Sequence, residues 1–153
     1  MQTNKVKYIV DKVKLIHSVD SEKLATEIDK IAERLGRTVD VLIEINISNE
    51  PTKHGISPQN YLELARFISE KQNICLKGLM TVAPYVENPN NNRIYFRKMR
   101  EIFVDITDKI NNNIDMQILS MGMTNDYEVA IEEGSNIVRV GTGIFGSRTS
   151  TSN

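Results

Sequence analysis

The sequence predicts an α/β fold built on a parallel sheet, and three observations carry that prediction. Short apolar, β-rich runs alternate with segments of helical period along the 153 residues, the pattern of repeated βα units whose strands are covered by helices. Several runs carry polar residues at alternating positions, His17, Glu44 with Asn46, and Arg139, where a strand covered on both faces reads as continuously apolar. Asn46, Thr81, Ser120 and Gly141 fall at the C-terminal ends of runs, where barrels keep their sites.

The elements follow in order. Val13 to Val19 reads as the first strand, after which Asp20 or Ser21 caps a helix with Leu24, Ile28, Ile31 and Leu35 on one face, ended by Gly36. Val39 to Asn46 is the second strand, followed by a loop from Ile47 to Ile56. Ser57-Pro58 then supplies an N-cap with proline at the first helical position, opening a helix with Leu62, Ala65, Phe67 and Ile68 inward. Ile74 to Val82 is the third strand. An asparagine- and proline-rich connection, Pro84 to Asn92, leads into the longest helix, with Met99, Ile102, Phe103, Ile106 and Ile110 as its apolar stripe and Asn111-Asn112-Asn113 as its breaker. Met116 to Met121 is the fourth strand. A short helix with Ala130 and Ile131 buried ends at Gly134, before the fifth strand at Ile137.

Doubly wound sheet and TIM-type barrel both remain open on this evidence. Alternating polar positions fit a barrel lumen or a ligand pocket. A complete barrel needs eight strands and about 250 residues, and the pattern supplies five. Because the last two units carry the features of a barrel's closing pair, the expectation is a partial TIM-type (β/α)8 barrel. It comprises about the last five β/α units and lacks the N-terminal ones, which are expected upstream of Met1. Residues 1–153 are read as one incomplete domain.

Composition narrows the function. With 19 basic and 20 acidic side chains and a net charge of -1, nothing draws the chain to nucleic acid or an anionic membrane. The single cysteine, Cys75, lies in an apolar run and reads as a buried structural thiol in a reducing compartment. No apolar segment approaches the ~18 residues of a membrane span and the start has no secretory h-region, so the cytoplasm is the expected location. Two isolated histidines and one cysteine give no metal-ligand spacing.

The closing third carries the chemistry. Leu119-Ser120-Met121-Gly122-Met123-Thr124 and Ile137-Val138-Arg139-Val140-Gly141-Thr142-Gly143-Ile144-Phe145-Gly146 each end in small polar and glycine residues that let backbone amides approach an anion. Arg139 lies within an apolar run, where an unpaired charge is costly, so it must have a partner. Gly141 to Gly146 also matches G-x-G-x-x-G, but a dinucleotide site requires a further helix, strand and acidic residue about 20 positions on. The chain stops at Asn153. A single phosphate needs far less chain. Ser120 lacks the strand-turn-helix setting of a hydrolase nucleophile.

Both closing motifs, with Gln2-Thr3-Asn4-Lys5-Val6-Lys7, Ile16 to Ser21, Asn46-Ile47-Ser48, Glu50, Lys53, Gly55-Ile56 and Gly78-Leu79-Met80-Thr81, resemble the pyridoxal phosphate homeostasis protein family. Its members are single-domain relatives of the alanine racemase barrel. The resemblance runs in order over essentially the whole chain. It implies a non-catalytic protein that binds pyridoxal 5'-phosphate and buffers or delivers it, with apo forms of enzymes using that cofactor as possible recipients. Ser120, Gly141 and Thr142 resemble the phosphate cradle, with Met121 beside them. Arg139 resembles the arginine facing the pyridine nitrogen, where a permanent charge disfavours protonation and weakens the ring as an electron sink. Asn46 and Met80 resemble further lining residues. Glu44 stands where family members more often have glutamine, which allows a charge pair with Arg139.

The family's Schiff-base lysine belongs to a first strand that this sequence does not contain. Binding is therefore expected to be non-covalent, in a truncated chain with no catalytic residue. Lys53 matches a family lysine and reads as a solvated loop residue. Without the neighbouring motif, Met121 and Met123 read as core filler, and His17 as a hydrogen-bonded core histidine. The alternative is a fragment of a racemase on the same barrel, but racemases of that fold add a C-terminal β domain with a catalytic tyrosine, whereas this chain ends soon after Ser147-Arg148. Two open sheet edges make a homodimer the expected rescue.

Overall fold

The computed structural model describes residues 3–110 and 112–146. The readings placed on Gln2, on Asn111 as part of the helix breaker, and on the Ser147-Arg148 ending lie outside the described residues. Five strands, β1 (Leu15–Val19), β2 (Val39–Glu44), β3 (Ile74–Met80), β4 (Ile114–Met123) and β5 (Ile137–Arg139), form one sheet in the order β1-β2-β3-β4-β5. Every neighbouring pair is parallel. Spatial order follows chain order with no reversal, so the doubly wound alternative, which needs a switch point, does not describe this sheet.

The sheet is curled rather than flat. On a flat sheet β1 and β4 lie three strand spacings apart, about 14 Å, yet the His17 Nδ1 and Ser120 Oγ atoms of those strands are 3.2 Å apart. The concave face has closed far enough for opposite strands to touch across it, which makes the fold a half-barrel. Gly78 permits part of this curl. It lies at the register break of β3 with both neighbours, where Val41–Leu76 pairing gives way to Leu42–Gly78 and Leu76–Ile114 to Gly78–Ile118.

The helices α1 (Glu22–Arg34), α2 (Tyr61–Ser69), α3 (Arg93–Lys109) and α4 (Tyr127–Glu132) cover the convex face. Period-2 alternation sends Val39, Val41 and Ile43 of β2 into the core shared with Leu24, Ile28, Leu64, Ile68, Phe96, Met99 and Ile106. Ser21 caps α1, its Oγ accepting from Leu24 N at 3.3 Å, a contact worth about 1 kcal/mol.

Four expectations are corrected. Leu35 is half-exposed at the C-cap of α1, and Ala25 and Ala32 complete the buried face. The second helix starts at Tyr61 rather than at Pro58, because Ser57 closes a turn, its carbonyl accepting from Asn60 N at 3.0 Å. On α4 the buried pair is Val129 and Ala130, while Ile131 is 52% exposed. Cys75 is only partly buried, since it alternates with the core residues Ile74 and Leu76. Among the described residues no helix is long and apolar enough to cross a membrane.

Candidate functional site

The concave face holds a polar hub centred on Arg139. Its Nη1 donates to Ser120 Oγ at 2.6 Å and to the Ser120 carbonyl at 3.1 Å, and its Nη2 donates to the Thr81 carbonyl at 2.7 Å. The partner required for this half-buried charge is therefore a set of neutral acceptors toward the C-terminal ends of β3 and β4. No ion pair with Glu44 forms among the described residues; the carboxylate acts on Arg139 only through its field, as does Asp126, and both offset the burial that pulls the guanidinium down. Thr81 donates from Oγ1 to the Ile45 carbonyl at 2.6 Å, which fixes the β3 end against the β2 end.

Beyond the strand ends lies an open cavity of about 650 Å³, lined by Tyr85, Met123, Thr124, Asn125, Gly141, Thr142, Phe145 and Gly146. A neighbouring groove containing Arg139 shares Met123 and Gly141 with it. The four-residue helix α5 (Thr142–Phe145) follows β5 directly. A Cβ built on Gly141 meets nothing within 4 Å, so its backbone is open to a ligand.

The structure thus brings Gly141 and Thr142 to the cavity and Arg139 to its border. Ser120 lies behind them: fully buried, it spends its hydroxyl on Arg139 and His17. Met121 points the other way, into the helix-covered core, as strict alternation after Ser120 requires. Met80 is buried on the concave side, in register with Glu44 on one neighbour and Ser120 on the other. Asn46 is occupied with its own loop, donating to the Glu50 carbonyl at 2.7 Å and accepting from Glu50 N at 3.2 Å.

Two features escaped the sequence reading. Thr124 closes the quoted motif, and its Oγ1 accepts from Gly143 N at 3.2 Å, joining the β4 end to α5. Its signal was a hydroxyl one residue beyond a strand end. Asn92, on the turn before α3, donates to Asp126 Oδ2 at 2.8 Å and to the Pro84 carbonyl at 2.8 Å, while Asp126 Oδ1 accepts from Met123 N at 2.7 Å. This pins the cavity wall, and its sequence separation hid it.

Glu44 is 8% exposed, and burial, reinforced by Asp20, raises its pKa above the ordinary carboxylate value. A raised folded-state value means that the stability linked to Glu44 is present below its unfolded pKa and is lost as pH rises through the folded one. Glu44→Gln is therefore expected to raise the urea midpoint at pH 8, with the gain shrinking toward pH 4. An equal gain at both pH values would show that ionisation of Glu44 is not the cause.

A parallel half-barrel whose strand ends gather an arginine and a glycine-threonine turn places the chain in the α/β barrel class. Residues 1–149 match the family model for the alanine racemase N-terminal domain, and the chain belongs to that family. It is 50% identical over 148 residues to the pyridoxal phosphate homeostasis protein of Aquifex aeolicus, covering 97% of this chain and 64% of that protein. The corresponding protein of Haemophilus influenzae is 36% identical, with 62% of its length covered. Among solved structures, PipY of Synechococcus elongatus without PLP superposes with a TM-score of 0.87 at 32% identity over 95% of this chain and 67% of PipY, and a second PipY structure has PLP bound. The chain thus spans less than two thirds of the length of these homeostasis proteins.

Proposed function

We propose that this chain is a non-catalytic holder of pyridoxal 5'-phosphate that buffers or delivers the cofactor. The observation that carries the reading is the convergence of Thr124, Gly141 and Thr142 on one cavity, with Arg139 at its edge. The donor set fits the cofactor: hydroxyls and an open backbone suit a phosphate ester, and three of the five guanidinium N–H donors are committed to protein, leaving two for a ring nitrogen. Ser120 contributes by orienting Arg139. When bound, the cofactor supplies an electron-withdrawing pyridine ring, which a permanent cation at its nitrogen keeps weak as an electron sink. Such an arrangement suits holding the cofactor better than driving carbanion chemistry.

The binding is non-covalent in this reading. Lys53 pairs with Glu50 at 2.9 Å, and Lys77, on the concave side, pairs with Asp115 at 2.6 Å. The names of the relatives and the PLP-bound PipY support the cofactor's identity. The outer strands β1 and β5, each paired on one side only in the sheet, support self-association of this chain.

Adding pyridoxal 5'-phosphate to the purified chain and recording its visible spectrum tests the reading, with light scattering on the same sample reporting association. Borohydride reduction and peptide mapping are expected to label no single lysine stoichiometrically. Thr124→Ala and Thr142→Ala are each expected to weaken retention by about 1–3 kcal/mol, the range for losing a hydrogen bond to a charged group. Unchanged retention in the double variant places the phosphate elsewhere.

A further inference from the structure

The reading of Arg139 as the cofactor-facing cation leaves one contact unexplained. Ser120 Oγ already accepts a short bond from Arg139 Nη1 at 2.6 Å, so the hydroxyl proton must be given to some other atom. Ser120 is fully buried, and among the described residues the remaining partner of its Oγ is His17 Nδ1 at 3.2 Å. The hydroxyl therefore donates to Nδ1, which must carry a lone pair, and the imidazole proton must be on Nε2. The alternative direction, Nδ1–H to Oγ, makes the hydroxyl accept twice and strands its proton in a site with no acceptor, at a cost of about 1–3 kcal/mol. The chain of bonds runs one way, Arg139 to Ser120 to His17.

We infer that His17 is a positioning residue, a neutral acceptor that aligns the Ser120 hydroxyl for Arg139 and whose protonation releases that alignment. The inference rests on the proposed role of Arg139 toward the cofactor, but the His17 contact itself does not. Adding a proton at Nδ1 reverses the second bond and places two cations on either side of one hydroxyl. The surroundings agree: burial, with Arg139 behind it, lowers the His17 pKa. The charged groups near the hub are Arg139 on β5, Glu44 on β2, Asp20 just beyond β1 and Asp126 at the N-cap of α4. Between the paired residues Ile16–Val41 and Val19–Ile43, the β2 residue on the concave side is the uncharged Leu42. No carboxylate ion pair with His17 forms among the described residues.

The sign follows from the lowered value. Stability and alignment linked to neutral His17 are present above its unfolded pKa of about 6.5 and are lost as pH falls through the folded value. Arg139 does not titrate in this range, so the switch lies in its support rather than in its charge.

Two measurements test the inference. The first needs no cofactor: nitrogen-15 NMR of the full chain, with His54→Asn removing the other histidine, is expected to show His17 with an unprotonated Nδ1 and a midpoint below about 6.5. Ser120→Ala should abolish the tautomer preference. A protonated Nδ1 in the neutral ring, or a tautomer indifferent to Ser120→Ala, overturns the inference. The second is pyridoxal 5'-phosphate retention at pH 8 and at about one pH unit below the His17 midpoint that the NMR titration gives, expected to fall at least about fivefold between the two in the original chain. His17→Asn, which presents an uncharged oxygen near the Nδ1 position, should retain cofactor at both pH values within about twofold. His17→Leu should be weak at both. A pH dependence unchanged by His17→Asn assigns the titration to another group and overturns the proposal. Should no variant retain the cofactor at any pH, the proposed function fails, and the NMR result alone decides the role of His17.

Discussion

Gly78→Ala is expected to unfold the chain or to cost more than about 4 kcal/mol, the range of exceptional single substitutions. A Cβ on Gly78 meets the Ile118 carbonyl oxygen at 1.7 Å and its carbon at 2.6 Å, and the residue has a φ of +154°, a conformation that side chains rarely adopt. Both obstacles are backbone, so no rotamer change relieves them. The strands would have to part at the register break, where Gly78 lies against the Ile118 backbone. That break lies two residues before Met80 and Ser120, which remain in register; Ser120, with Thr81 one residue beyond Met80, carries the acceptors of Arg139. Gly36→Ala is the control, since Gly36 also has positive φ, +60°, but a Cβ there meets nothing within 4 Å, and its cost should stay near the ~1–2 kcal/mol of a left-handed residue. Urea unfolding of the two variants by circular dichroism checks the pair. Similar midpoints would mean that the strand approach does not limit the fold.

The elements were legible where a local signal was strong. Ser21 announced the start of α1 by its side chain, and the strand runs beginning at Val39 and Ile74 stood out through β-branched and apolar content. Ser57-Pro58 misled because the same dipeptide that opens a helix also closes a turn, and only the contact of Asn60 N with the Ser57 carbonyl decides between them. Choosing between open sheet and barrel needed the strand order and the His17–Ser120 contact, which join residues 103 apart in sequence.

The site was legible at the level of its motif and not of its atoms. Arg139 was correctly expected to need partners, since an apolar strand cannot hold a lone cation. That those partners would be the Ser120 hydroxyl and two carbonyls depends on the curl of the sheet, which has no sequence period. The resemblance implies Met121 beside the Ser120 cradle, yet adjacency on a strand means opposite faces, and Met121 lies in the helix-covered core. Thr124 ends the same run, and its role appears only when α5 folds back to meet it.

Arg139→Leu is expected to lower stability by about 1–3 kcal/mol before any ligand is added, the scale of leaving a buried acceptor unpaired. The sequence resemblance alone puts the effect of this change on the cofactor's absorption. The structure adds a second effect. Arg139 spans β3, β4 and β5 with three donated bonds, and leucine supplies none of them. The Ser120 carbonyl keeps its bond from Thr81 N at 3.1 Å, and the Ser120 hydroxyl can still donate to His17, so the heaviest loss falls on the Thr81 carbonyl. Arg139→Lys keeps the charge but gives up the planar fork that reaches two strands at once, and it should recover less than about half of the loss. Chemical denaturation of the three chains without cofactor separates these effects, and spectra with pyridoxal 5'-phosphate then report the ring environment. If Arg139→Leu unfolds at the original midpoint, the guanidinium does not tie the strand ends, and its worth lies entirely in the ligand. If lysine restores full stability, charge alone is sufficient and the fork geometry contributes nothing. The expected order, arginine well above lysine and lysine above leucine, holds only if one planar group clamps the sheet ends and leaves its remaining donors directed at the cavity border.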